Sequence, residues 1–276
     1  MNKITIVFCE GQHDIAFLSK ILFAHEYKKY DKKLDKFLKP FGNQYFELIK
    51  TTEISDKKLG YQSDYKIPSV SLYKDDNLIL FHNMGGDMKS IERVEVLNMY
   101  LKLVNKDNDF TASYNFEYKF LYFLDSDEKT IEERVQELNS ELALTTPLQH
   151  NKLVFDMHNY GCYIYSGVLE DILLDLMKPF NDTYFDNSKN YIDTNPINND
   201  RQKEFKCFEE TYKSGNKFKE KKSIISIAGQ LQFSGMNNSV IIANSDYIKK
   251  DDILNNAHCQ NIIKFFEPHV DITAEL

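Results

Sequence analysis

An α/β fold, with a parallel sheet flanked by helices and a helical extension at the C-terminus, follows from three features of the amino-acid order. Short β-branched and aromatic runs, such as Ile4-Thr5-Ile6-Val7-Phe8-Cys9 and Phe120-Leu121-Tyr122-Phe123-Leu124, end in acids or glycine, as buried parallel strands do. These runs alternate with segments whose apolar residues recur at helical spacing. That β-α-β-α order closes into a parallel sheet with right-handed crossovers. After Gly167 the helical spacing dominates.

The elements follow in order. Residues 3–9 form the first strand. Gly11 opens a helix in which Ile15, Leu18 and Leu22 share a face. The lysine-rich segment 26–39 extends or follows that helix, and Pro40 and Gly42 break it. Residues from about 40 to 76 read as an irregular insertion, with or without a short hairpin. Leu78-Ile79-Leu80-Phe81-His82 is the second strand, ended by Gly85-Gly86. A helix over about 89–104 carries Leu97, Leu101 and Val104 on its apolar face, and 105–117 is a polar loop. Residues 118–124 are the third strand. The next helix, about 129–144, is rich in Glu at its start, where the helix dipole favours acids, and Pro147 closes it. Residues 152–156 make a fourth strand, and Cys162-Tyr163-Ile164-Tyr165 a further short one. Residues 168–177 are helical, with Glu170 and Asp171 at the start and Pro179 at the end. The Asn/Asp-rich stretch 181–200 reads as a loop, and the remainder as two or three helices. Two regions result: an α/β core over 1–166, and a mainly helical extension over 167–276 packed on it.

Composition narrows the function classes. With 42% hydrophobic and 28% charged residues in 276, the chain is globular and not disordered. No run approaches the ~20 apolar residues of a membrane helix, so no membrane association is expected. Met-Asn-Lys leads straight into a strand-like run, which predicts a cytoplasmic protein without a secretory leader. Cys9, Cys162, Cys207 and Cys259 lack zinc-ligand spacing and read as reduced thiols. A net charge of −8 argues against avid non-specific binding of a polyanion. Local patches still count. Lysines crowd 28–39 and again 201–222. Lys29, Lys32 and Lys36 are the candidates for nucleic-acid contact; the alternative is a solvated helix face.

The acids carry the chemistry. Glu10 ends the first apolar run and is followed by Gly11 and Asp14; Asp125 and Asp127 end the third. Ligands of open α/β sheets bind at the carboxyl ends of the strands. Carboxylates gathered there repel one another, and a hard divalent cation removes the repulsion. Glu10 is read as a metal ligand first and a proton-transfer group second, against the alternative of a helix cap. Asp14 either faces the same cation or is an acid favoured by the helix dipole. Asp125 and Asp127 alternate along an extended segment, which leans both side chains the same way. The histidines have no ligand spacing, and no P-loop, GxGxxG or Ser-His-Asp pattern is present.

Glu10-Gly11-x-x-Asp14 after one strand and Asp125-x-Asp127 after a later one resemble the TOPRIM domain of topoisomerases, DnaG-type primases and OLD-type nucleases. The resemblance covers roughly the first 165 residues, with one divergent insertion. Without topoisomerase or primase motifs, the chain is most similar to the nuclease branch. Lys222-Ser-Ile-Ile-Ser-Ile-Ala-Gly-Gln-Leu231 and Ser234-Gly235-Met236 resemble a bacterial family of free-standing TOPRIM-like proteins. The resemblance implies hydrolysis of phosphodiester bonds in DNA or RNA, dependent on Mg²⁺ or Mn²⁺. Glu10, Asp125 and Asp127 would act on one cation, and Asp14 and Glu170 on a second. Lys222 would face the transition-state phosphate, or be one lysine of a basic stretch. The chain has no ATPase of its own, so the resemblance also implies a partner ATPase, a setting in phage defence and room for a homo-oligomer. Two alternatives stand beside it. One is a non-catalytic module that binds nucleic acid or phosphate. The other is a haloacid-dehalogenase-like phosphatase; those enzymes carry DxDx(T/V) after the first strand, whereas here Lys129 occupies the last position and the pair follows the third strand.

Overall fold

In the computed structural model, which describes residues 1–51, 65–86, 89–104, 114–195, 203–206, 209–212 and 219–267, seven strands form one mixed sheet. They are β1 (Lys3–Cys9), β2 (Lys28–Lys29), β3 (Val70–Lys74), β4 (Asn77–Asn83), β5 (Glu117–Asp125), β6 (Lys152–Asp156) and β7 (His158–Tyr165). Their spatial order is β2-β3-β4-β1-β5-β7-β6. The four central strands β4, β1, β5 and β7 are parallel, and the edges are antiparallel. The chain therefore has the α/β fold that its alternating pattern predicts.

The central strands are buried on both faces, which is why their sequences are continuously apolar. Ile4, Ile6 and Phe8 of β1 join Phe120, Tyr122 and Leu124 of β5 on one face. Three helices cover it: α2 (Phe41–Thr51), α3 (Ser90–Val104) and α4 (Ile131–Leu142), through Phe41, Val96, Tyr100, Val135 and Leu138. The other face meets α1 (Gln12–Ala24) and α10 (Ala257–Lys264). The rings of Phe265 and Phe266, just past α10, lie 6.1 and 5.9 Å from Phe123 of β5.

Several expectations change here. The fourth parallel strand is β7 and not residues 152–156. Those residues form the edge strand β6, which doubles back on β7 at the left-handed, 83% exposed Met157. The lysine-rich segment 26–39 does not continue a helix. Glu26, with φ of 70°, turns the chain out of α1, and Lys28 and Lys29 pair as the outermost strand. Pro40 and Gly42 do not break a helix: Pro40 immediately precedes α2, its carbonyl accepting the Gln44 amide at 3.0 Å, and Gly42 lies in the first turn. The expected insertion thus holds α2 and β3, and β3 forms a hairpin with β4, the expected second strand; residues 52–64 lie outside the described residues. The Asn/Asp-rich stretch is largely the helix α6, which buries Phe185 and Ser188 three residues apart.

The chain forms two compact units: Met1–Leu169 with the residues from Ile253 onward, and Glu170–Asp252. The expected single extension over 167–276 is thereby divided. Lys119 and Tyr27 explain the return of the C-terminal residues to the first unit. The Lys119 ammonium donates to the carbonyls of Phe265 and Glu267 at 2.8 and 3.0 Å, and the Tyr27 hydroxyl to that of Phe266 at 3.1 Å. The second unit holds most of α5 (Leu169–Met177), then α6 (Asp182–Thr194), the hairpin β8 (Lys203–Lys206) and β9 (Glu209–Tyr212), α7 (Glu220–Gln232) and α8 (Asn238–Asn244). The short helix α9 (Lys250–Asn255) crosses the boundary. Gly229 lets α7 and α8 approach, because a Cβ there would collide with Ile241. This close approach accounts structurally for the glycine in the 222–231 stretch. Among the described residues no helix is long and apolar enough to cross a membrane.

Candidate functional site

Glu10 leaves the end of β1 between two neighbours. On the β4 side, the amide of Met84 donates to the Cys9 carbonyl and that of Gly86 to the Glu10 carbonyl, both at 2.9 Å. Gly85 and Gly86 turn the chain there with positive φ, 77° and 127°, a conformation that favours glycine. On the β5 side the Glu10 side chain crosses the strand end. Its Oε1 accepts the backbone N–H of Asp125 at 3.1 Å. Glu10 and Asp125 therefore share the carboxyl-terminal edge of two adjacent parallel strands.

Strand alternation sends their side chains different ways. Leu124 packs into the core beneath α3 and α4, so Asp125, one residue on, leans toward the α1 face. There its Oδ1 accepts the amide of Leu169 at 2.8 Å. Asp125, Ser126 and Asp127 are stitched to the segment after β7. The Ser126 hydroxyl accepts the Gly167 amide at 2.8 Å, and the Asp127 amide donates to the Gly167 carbonyl at 2.9 Å. Asp127 does not continue an extended strand, as its spacing from Asp125 suggests. It adopts φ of 52° in a turn closed by Lys129 N–H to the Ser126 carbonyl, and is exposed. The parallel orientation expected of the pair ends at that left-handed residue.

Asp14 is 6% exposed in the first turn of α1 and accepts the Gly11 amide at 2.8 Å. The helix-start reading thus has a hydrogen bond behind it. The Tyr165 hydroxyl is fully buried and lacks a hydrogen-bond partner among the described residues. Burial, and then the charges of Asp14, Cys9 and Asp125, hold its ionisation well above the usual phenol range. Burial, followed by Asp14 and Glu10, likewise pushes the Cys9 thiol up, which disfavours its thiolate form.

Arg134 is the residue that sequence reasoning missed. A capping box places it: Thr130 Oγ1 accepts the Glu133 amide at 3.1 Å, and Glu133 accepts the Thr130 amide at 2.8 Å, fixing the first turn of α4. Arg134 then turns inward, and its Nη2 lies 3.0 Å from Glu10 Oε1. Nη1 donates to Glu137 at 3.0 Å, and Glu137 also receives Lys129. The side chains of Arg134 and Glu10 are 6% and 13% exposed, whereas Glu137 is 47% exposed. A second, more buried ion pair lies on the same groove between α3 and α4. Arg93 grips Glu141 with Nε and Nη2 at 2.8 and 2.6 Å. The groove encloses about 710 Å³. A compositional signal was available: the chain has three arginines, Arg93, Arg134 and Arg201, among 34 basic residues. Where lysine is the default cation, arginine marks sites that need a planar fork.

The remaining expected residues fall in two groups. Lys222 and Glu170 are in the second unit and pair with each other at 3.3 Å, with Glu170 2% exposed. Lys221 makes the neighbouring pair with Asp171. Lys29, Lys32 and Lys36 are exposed, but they share no α-helical face: Lys29 is in β2 and Lys36 ends the short 3-10 turn Leu34–Lys36. Through Leu72 and Ile79, Lys29 is level with Thr5, the middle of β1 and not its carboxyl end. Lysines on an edge strand also deter edge-to-edge pairing, a structural use that needs no ligand.

Among the described residues, no three His, Cys, Asp or Glu side chains gather to hold a metal ion. The donor chemistry at the edge still fits a hard cation, since Glu10 and Asp125 offer only oxygen. Mg²⁺ commonly takes one or two carboxylates and completes its shell with water and substrate phosphate. No family model and no curated protein matches the chain. Among solved structures, the hypothetical protein PH0156 from Pyrococcus horikoshii OT3 is similar at 17% identity, with a TM-score of 0.51, over 96% of this chain and 94% of that one. That likeness is one of fold, an α/β chain with a centrally parallel sheet.

Proposed function

We propose that the protein is a TOPRIM-like hydrolase that cleaves phosphodiester bonds of DNA or RNA with Mg²⁺ or Mn²⁺. The observation that carries this reading is the 3.1 Å hydrogen bond from the Asp125 amide to the Glu10 carboxylate. It puts two acids at the carboxyl edge of the central strands, where open α/β sheets take their ligands. In this reading Glu10 and Asp125 would hold the cation, which requires their carboxylates, turned to different partners here, to swing to one side of the strand ends, with Asp127 exposed beside them. When bound, the cation supplies polarisation of the phosphate and a lowered pKa for the attacking water. The chain's own groups do the positioning. The Leu169 amide fixes the Asp125 rotamer, and the Ser126–Gly167 bond ties the β5 end to the segment after β7. Glu10 is also the group placed to accept a proton from the attacking water.

A second reading has one observation in its favour. Arg134 already neutralises Glu10, as expected of a module that binds phosphate without turning it over. Incubating the protein with plasmid DNA and with single-stranded RNA in Mg²⁺ and in Mn²⁺, beside Glu10→Gln, separates the two. The hydrolase reading expects cleavage by the native protein and a drop of about 100-fold or more in the variant, the scale of a positioned acid–base or ligand group. Binding of either nucleic acid without cleavage under all conditions would establish the second reading instead.

A further inference from the structure

Arg134 stands on the one carboxylate oxygen that also touches the β5 backbone. Glu10 Oε1 accepts both the Asp125 amide at 3.1 Å and Arg134 Nη2 at 3.0 Å. The guanidinium has a second anchor pointing outward. Its Nη1 holds Glu137 at 3.0 Å, and Glu137, half in solvent, is shared with Lys129. The arginine is thus held between an inner, nearly buried acid and an outer, exposed one. We infer that Arg134 is a positioning residue that occupies Glu10 as a built-in counter-cation and withdraws toward Glu137 when a divalent cation takes Glu10. This inference rests on the metal-dependent reading above and adds a regulated step to the same site.

Three physical points support it. A carboxylate 13% exposed at a strand end is costly to leave unpaired, so it needs a counter-charge whenever no divalent cation is bound. Arginine is the side chain suited to serve two acids at once, because its fork presents separate N–H groups in one plane. Finally, the groove between α3 and α4, which Arg134 and Glu137 both line, gives the withdrawn guanidinium a place beside the acids instead of in open solvent. Arg134 and the divalent cation then compete for Glu10, whereas Glu137 competes with Glu10 for Arg134. The two groups must therefore affect metal binding in opposite directions.

The test is Mn²⁺ binding to the full-length protein, read by the fall of the free-ion electron paramagnetic resonance signal and, separately, by the Mn²⁺-induced rise in melting temperature. Arg134→Gln is expected to bind Mn²⁺ roughly 10-fold tighter than the native protein, the usual scale of coupling between two ligands of one site. It should also melt lower in chelator and gain more from Mn²⁺. Glu137→Gln is expected to bind about threefold weaker, since its arginine is left without the outer anchor. If Arg134→Gln does not fold, Arg134→Lys takes its place, with an expected gain of about threefold from removal of the fork. Native-like affinity in both Arg134 and Glu137 variants, with Glu10→Gln still abolishing binding, overturns the competition and leaves the metal reading standing. Equal Mn²⁺ binding by the native protein and Glu10→Gln overturns both.

Discussion

His82 makes the protein's stability depend on pH in a way that its surroundings let one calculate. It lies on β4 and is fully buried. Its Nδ1 is 2.8 Å from the Tyr65 carbonyl, which only accepts, so Nδ1 carries the proton. Nε2 must then accept from the Tyr100 hydroxyl at 2.8 Å, and Tyr100 in turn accepts from Tyr45 at 2.6 Å. A second proton on the ring would turn Nε2 into a donor, which Tyr100 could accept only by reversing its hydrogen bond with Tyr45. Burial lowers the His82 pKa from 6.5 to about 4, although the Tyr65 carbonyl works the other way. The folded pKa is thus below the unfolded one. Stability is fully present above pH 6.5 and is lost as pH falls toward 4, because the unfolded chain takes up a proton that the folded one refuses. The whole loss is about 3 kcal/mol, of which about 2 kcal/mol falls between pH 7 and pH 5. Urea unfolding across that window, for the native protein and for His82→Gln, measures it. The difference between the two curves removes the contribution of titrating carboxylates. Parallel stability–pH curves for the two proteins would refute the assignment of a neutral, buried ring.

Three further outcomes are expected. Glu141→Gln leaves Arg93 charged and buried, at a cost of about 3–5 kcal/mol in urea unfolding; Arg93→Met combined with Glu141→Leu should recover most of it, and a single variant within about 0.5 kcal/mol of native, the spread of ordinary surface changes, would show the pair to be idle. Mg²⁺ or Mn²⁺ at about 100 times its dissociation constant should raise the native melting temperature by roughly 5 °C or more, and Asp125→Asn/Asp127→Asn by much less; equal shifts would place the cation elsewhere. Reversing Lys29, Lys32 and Lys36 to Glu should flatten the salt dependence of nucleic-acid binding by about one log–log unit for each phosphate no longer neutralised. Unaltered binding at every salt concentration would leave Lys29 as a guard of the β2 edge, and Lys32 and Lys36 as solvated surface charges.

What the sequence by itself determined is local. The runs at 4–9 and 120–124 specify strands because β-branched and aromatic side chains fit a pleated sheet buried on both faces. Gly11 and Asp14 start α1 through one short hydrogen bond between near neighbours. The acids at the ends of β1 and β5 were legible for the same reason: a strand's end can be read without knowing its partners. Tertiary structure decided whatever depends on a partner far along the chain. Residues 152–156 and 158–165 are both plausible strands, and only the place beside β5 makes the second the parallel one. The loop-like composition of 182–194 yields a helix because α7 packs against it. Asp127 turns into a left-handed conformation because Gly167, brought alongside by β7, binds its amide. Arg134 reaches Glu10 across 124 residues of sequence. Periodicity registers which face of a helix is apolar; it carries no record of which charge a buried side chain will meet, since that depends on the long-range pairing of strands.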